Sequence, residues 1–275
     1  MARVQLPESR VRARRRKRRA LLALWSAVAV FLLVALAAGV TWVPYVRIQK
    51  VDISGTQSVS KDAVLKTVQE KIAGGYGFIF ARSNIFLYPK HEIENTLLSQ
   101  YPVFKSVTAH AQNLQTLSVD VTERQPAALW CGNGSTTDCS IMDGGGVVYA
   151  PAVTLSGDAF VTYMGSTTGQ AQYPRQYLTQ HMFEALTAFV NELGKQVQDD
   201  NIREVAVDTN GDTRVYFQND FLLIFSLNDD TAKTLARFSL ALTSASFTAH
   251  KLSDFEYLDL RFGDKLYYKL KGASN

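Results

Sequence analysis

No charged residue occurs between Ala20 and Val46, and the run that begins there follows directly on Arg10-Val-Arg-Ala-Arg-Arg-Arg-Lys-Arg-Arg19. Roughly 24 residues from Ala20 to Val43, at about 1.5 Å each, reach about 36 Å, enough to cross a hydrocarbon core of about 30 Å with some tilt. Lys/Arg-rich flanks are retained in the cytoplasm. The pattern therefore predicts a basic cytoplasmic tail over 1–19, a transmembrane helix over 20–43, and a remainder outside the cytoplasmic membrane. Trp25 and Trp42 fall near the two ends of the run, where amphipathic rings favour the headgroup level. A cleaved signal peptide is the competing reading, with Ala35-Leu-Ala37 as a small-residue cleavage site, but the apolar run continues past it. A nucleic-acid or nuclear-targeting role for the arginines fits poorly with their position beside the span; topology and attraction to anionic headgroups suffice.

The formal net charge is +4, and residues 1–19 hold nine Lys/Arg against one Glu, so the chain beyond them carries a net −4. That mildly acidic part offers no basic face with which to displace counterions, so no nucleic-acid partner is expected. Its length suggests two domains. Cys131 and Cys139 are the only cysteines. Two cysteines cannot complete a four-ligand zinc site. Outside the reducing cytosol a disulfide across this loop is favoured over two free thiols. The Asn133-Gly-Ser135 sequon is given no weight.

Along the chain, Arg47–Ser54 reads as a strand ended by Gly55. Ser60 can cap a helix whose Val64, Leu65, Val68 and Ile72 form one apolar face, stopped at Gly74-Gly75. The stretch Tyr76–Tyr88 is too apolar for a simply solvated loop and is expected to fold back on the domain. Pro89 suits the first turn of a second helix buried through Ile93 and Leu97. Two strands follow, about Val103–Ala111 and Leu114–Glu123. In the second, Leu117, Val119 and Val121 alternate with Ser118, Asp120 and Thr122, which places one face inward. The order β, α, α, β, β predicts a three-stranded sheet with two helices on one side.

From Gln125 the pattern changes to short strands and turns, with strands expected at Ala127–Cys131, Ile141–Met142, Gly146–Tyr149 and Phe160–Met164. A long helix is expected over about Arg175–Lys195, striped by Met182, Leu186, Phe189 and Leu193. Strands at Ile202–Asp208, Arg214–Gln218 and Phe221–Ser226 turn at Asn210-Gly211 and Asn219-Asp220. A further helix is expected over about Thr231–Ala249, through Leu235, Phe238 and Leu242. The last strands are Phe255–Phe262 and Lys265–Leu270, joined at Gly263-Asp264. The fold class is α+β: a transmembrane helix, a βααββ domain over 46–124, and a mixed β-rich domain with two helices over 125–272.

Four stretches, in order, resemble the FtsQ/DivIB family of bacterial cell-division proteins. Val46-Arg-Ile-Gln-Lys-Val-Asp-Ile-Ser-Gly55 is similar to the first strand of that family's POTRA domain, and Tyr101-Pro-Val-Phe-Lys-Ser-Val107 to the entry into its second. Leu117–Trp130, with Glu123-Arg-Gln-Pro126, resembles the third strand and the exit into the β domain. Tyr257-Leu-Asp-Leu-Arg-Phe262 looks like the near-terminal strand. Phe104 and Phe262 stand where Trp and Tyr are more usual. The resemblance implies a non-catalytic scaffold at the septum, single-pass in the cytoplasmic membrane, whose final strand edge receives small coiled-coil division proteins of the FtsB/DivIC and FtsL types. A POTRA-bearing secretion or envelope-assembly protein is the alternative, and it would require a β-barrel after residue 125.

No catalytic constellation is evident. His91, His110, His181 and His250 are dispersed, there is no Gly-x-Ser-x-Gly elbow, and Asp143-Gly-Gly-Gly146 lacks the lysine and the helix of a phosphate loop. Asp229-Asp230 reads as a helix cap rather than a metal site, and Asp199-Asp200 follows a helix. Glu123 and Arg124 could pair with each other. No catalytic residue, metal or cofactor is expected. Binding is expected instead at the terminal edge, through Arg261, Phe262, Lys265, Tyr267 and Lys269, with Leu266, Tyr268 and Leu270 facing the core and the lysines meeting an acidic partner.

Overall fold

Helix α1 (Glu8–Thr41) runs without a break from the arginine cluster through the apolar segment. Within it Arg15–Thr41 is long and apolar enough to cross a membrane. This is the one such helix among the described residues, as a single-pass membrane protein requires. The computed structural model of the protein describes residues 8–77, 79–132, 138–152, 160–168, 172–197 and 200–272. The Asn133 sequon and Asp199 lie outside them. The chain divides into two compact units, Met1–Glu123 and Arg124–Asn275.

After α1 and a 3-10 turn at Pro44–Val46, the first unit contains β1 (Lys50–Ser54), α2 (Lys61–Ile72), β2 (Gly75–Tyr76), β3 (Phe80–Ala81), α3 (Lys90–Gln100), β4 (Phe104–Ala111) and β5 (Thr116–Glu123). The Ser60 hydroxyl accepts the Ala63 amide and starts α2, relieving one unpaired N–H of the first turn. The sheet order is β1-β5-β4, with β5 parallel to β1 and antiparallel to β4. Val64 and Val68 of α2, Ile93 and Leu97 of α3, and Leu117 and Val119 of β5 are fully buried together. Period-two and period-3.6 patterns thus meet on one core. Gly55 takes φ +81°, and a Cβ there would stand 1.9 Å from the Val121 carbonyl oxygen, so the turn after β1 tolerates only glycine. The apolar loop after α2 does fold back. It makes the short β2–β3 hairpin, buries Ala81 and Ile85, and bonds to the end of α1.

Glu123 ends β5 as a buried acceptor. Its carboxylate takes the amides of Gln57 (2.9 Å) and Ser58 (3.0 Å) and the Ser58 hydroxyl (2.7 Å). Burial raises its pKa, but the bonds from Ser58 and from the Gln57 and Val59 amides outweigh that and hold it below its ordinary 4.5. A depressed carboxylate stabilises the fold above its unfolded pKa, and the contribution fades as pH falls through the lowered folded value. Glu123→Gln is therefore expected to cost about 1–3 kcal/mol at neutral pH. The gap between variant and parent in denaturant titrations should close as the pH drops below about 4. A gap independent of pH would show that the charge of Glu123 contributes nothing.

The second unit is built on one ten-stranded sheet. Its strands are β6 (Pro126–Cys131), β7 (Cys139–Asp143), β8 (Val147–Pro151), β9 (Thr162–Met164) and β10 (Arg175–Gln176), then, after α4 (Gln180–Gln196), β11 (Ile202–Val207), β12 (Asp212–Phe217) and β13 (Leu222–Ser226). Helices α5 (Thr231–Leu242) and α6 (Ala245–Thr248) precede β14 (Phe255–Phe262) and β15 (Lys265–Leu270). The order across the sheet is β10-β8-β7-β6-β9-β11-β12-β13-β14-β15. The pairs β6/β9, β9/β11 and β13/β14 are parallel, and α4 and α5 are the crossover helices of the last two. Alternate residues of β11–β13 are buried against these helices, with Phe189 of α4 on Phe225 of β13 at 4.3 Å between ring centroids and Phe238 of α5 fully buried. Cys131 and Cys139 are directly paired across β6–β7 and joined as a disulfide.

Several boundaries differ from expectation. Arg175-Gln176 is not helical: these residues pair with Val148 and Val147 of β8, and α4 starts only where the Thr179 hydroxyl caps the Met182 amide. Phe183, absent from the expected stripe, is fully buried, whereas Met182 is only partly so. The helix expected to reach Ala249 breaks after Leu242, where the Thr243 and Ser244 hydroxyls bond back to the Leu240 and Ala241 carbonyls and a separate turn, α6, begins. The Arg124 guanidinium meets Asp143 at 2.5 Å. Asp143 also accepts the Gly145 and Val147 amides, closing the hairpin turn at which Gly146 adopts φ +76°.

Candidate functional site

β15 is the last strand of the sheet, and β14 is its one strand partner among the described residues. The hairpin turns at Gly263-Asp264, with Gly263 at φ +62°, a conformation glycine adopts without steric cost. Both register irregularities of the pair place the extra residues on β14, so β15 keeps a regular alternation. The Lys271 amide bonds to the Asp254 carbonyl on the β14 side. Counting back by twos, the amides of Lys265, Tyr267 and Lys269 point to β14, and those of Leu266, Tyr268 and Leu270 point to the open edge.

The hairpin is held from three directions. Arg237 of α5 donates to the Gly263 carbonyl, and Lys271 Nζ reaches the Asn219 carbonyl at the β12–β13 turn (2.7 Å). Arg261 lies in the bulge of β14, where its Nε and Nη2 engage Asp259 at 3.0 and 2.7 Å while Nη1 meets Asp212 of β12. These bonds, to Asp259 first and Asp212 second, raise the guanidinium pKa against the effect of burial, so the charge is permanent. Arg261, expected to meet a partner, also locks β14 to β12.

Phe262 is exposed, stacks edge-to-face on Tyr267 at 5.1 Å, and lies beside the Arg261 guanidinium. Leu270 joins the core, while Tyr268 packs its ring on Phe247 of α6 and Phe255 yet stays 41 % exposed. Leu266, expected to face the core, is exposed. Lys269 pairs with Glu256 at 2.9 Å, while Lys265 makes no ion pair among the described residues. The edge thus offers aromatic surface from Phe262, Tyr267 and Tyr268 and, among the described residues, one cation without an ion pair, Lys265. Leu240 of α5 is 72 % exposed and lies outside the expected stripe.

Among the described residues no group of three His, Cys, Asp or Glu side chains could hold a metal ion. Asp230 caps α5, accepting the Ala232 and Lys233 amides.

The described chain is therefore an apolar helix that fits a single-pass membrane protein, then a POTRA-like βααββ unit and a β-rich unit. Residues 46–124 match the family model of the POTRA domain, FtsQ-type. That match, with the apolar helix ahead of it, supports an FtsQ/DivIB-like protein, a POTRA protein related to cell division. No curated protein matches the chain.

Proposed function

We propose that this chain is a non-catalytic scaffold of the bacterial divisome. Its basic tail and span locate it in the cytoplasmic membrane with both globular units outside. The 46–124 domain docks other division proteins near the membrane, and the 125–272 domain adds a partner strand to β15. The observation that supports this most is the position of β15 at the end of the sheet with three main-chain amides directed outward. Strand addition draws its affinity from such unpaired groups and its specificity from flanking side chains, here Phe262 and Tyr267 with Lys265. The partner that fits is a segment of the small coiled-coil division proteins of the FtsB/DivIC and FtsL types, as the family resemblance implies. The alternative of a secretion or envelope-assembly protein is disfavoured: a barrel has no edges, whereas this sheet has two distinct ends, β10 and β15.

A fluorescent fusion of the full chain is expected to form a mid-cell band that appears before constriction. Uniform membrane labelling through the cycle would remove the divisome assignment.

A further inference from the structure

Large apolar side chains stand exposed around the exit of α1: Tyr45 (77 %), Phe86 (72 %), Leu114 (53 %), Ile79 (50 %), with Trp42 and Leu87. They come from three separate stretches of sequence, and hydrogen bonds hold all three at one level. The Ala81 amide reaches the Thr41 hydroxyl (3.3 Å), Asn84 Nδ2 the Thr41 carbonyl (3.2 Å), and the Trp42 indole N–H the Ile79 carbonyl (2.9 Å). The Ile85 amide bonds to the Val46 carbonyl at 2.9 Å, and the Phe86 amide to the Asn84 side chain at 3.0 Å. On the other side, Gln115, next to Leu114, accepts the Gln49 amide and reaches the Pro44 carbonyl.

The depth of this level follows from the helix. Thr41 lies roughly 22 residues beyond Arg19, or about 33 Å along α1, at the far boundary of a hydrocarbon core of about 30 Å. Groups bonded to Thr41, Trp42 and Pro44 therefore sit among headgroups rather than in bulk water. Exposed aromatic and aliphatic side chains are costly in water but stabilising at that interface.

We propose that Ile79, Phe86 and Leu87, with Tyr45 and Leu114, form a membrane-contact surface that seats in the outer leaflet. The first unit then rests on the bilayer, and the span and the two loops act as one anchor with a fixed orientation. The occupant is lipid, because the patch is continuous with the surface through which α1 leaves the membrane. The inference rests on the reading of α1 as a span, and the test separates the two.

The native cysteines are joined in a disulfide, so single cysteines at Ile79, Phe86, Lys66 and Leu32 of the full chain can each carry an environment-sensitive fluorophore. The protein is reconstituted into vesicles of phosphatidylethanolamine and phosphatidylglycerol. Labels at 79 and 86 are expected to emit to the blue of the label at 66, to be several-fold less quenched by iodide, and to be quenched by lipid brominated near the headgroup. The label at 32, inside the span, should be quenched by lipid brominated deeper in the chain. Protection at 32 with labels at 79 and 86 as water-accessible as that at 66 would overturn the proposal and leave the span intact. Protection at 79 and 86 that appears only in native membranes, and not in pure lipid, would assign the patch to a protein and overturn it equally. Loss of protection at 32 would remove the span and the proposal together.

Discussion

Leu266→Pro is expected to weaken capture of an FtsB/DivIC-type segment by about 100-fold, close to 3 kcal/mol, while the hairpin stays folded. Proline removes an amide and fixes φ, which an edge strand tolerates only where that amide faces outward. The alternation counted from the Lys271–Asp254 bond gives the Leu266 amide that direction. The ring would then occupy the position of a ladder bond to the incoming strand and hold apart the pairs on either side. Tyr267→Pro is the opposite control, because its amide points to β14; it should unfold the hairpin and lower stability. Leu266→Ala should bind nearly as the parent. Pull-down with the partner's C-terminal segment, together with thermal unfolding of each variant, reads both effects. Full binding by a folded Leu266→Pro protein would rule out strand addition at this edge.

Arg261→Ala should cost about 2–4 kcal/mol of stability, because it leaves the buried Asp259 carboxylate without its counter-charge and uncouples β14 from Asp212. Arg261→Lys should recover only part of this, since a single ammonium cannot span two carboxylates with the geometry of the guanidinium fork. Adding Asp259→Asn to Arg261→Ala should relieve much of the deficit by removing the stranded charge. Denaturant midpoints of the four proteins provide the test. If Arg261 were primarily a partner contact, Arg261→Ala would bind poorly at unchanged stability.

These residues mark where the sequence was legible and where it was not. Ser60, Asp230 and the alternation of Leu117, Val119 and Val121 could be read directly, because a cap or a strand face depends on neighbours within a few positions. The end of α5 was misread: apolar periodicity continues through Ala245–Thr248, while hydroxyl-to-carbonyl bonds at Thr243 and Ser244 end the first helix. Arg175-Gln176 was misread as helix for a related reason, since pairing with β8 overrides local propensity. At the candidate site, the turn at Gly263-Asp264 was legible, but of the face expected to turn inward only Leu270 joins the core. The commitment of Arg261 was not legible, because one of its partners, Asp212, lies on a strand that is two places away in the sheet and far away in sequence.

By itself the sequence determined one apolar helix long enough to cross a membrane, a βααββ unit followed by a β-rich unit with two helical stripes, and the candidate terminal strand. Each is written in short-range patterns of charge, length and periodicity. Only the tertiary structure decided that one ten-stranded sheet runs through the second unit with β15 outermost, that Arg261 bonds to Asp259 and Asp212, and that two distant loops gather at the end of α1. Those outcomes depend on pairings between segments tens of residues apart. Such pairings are chosen by which edges and buried groups satisfy one another in the folded chain, and no local pattern encodes that competition.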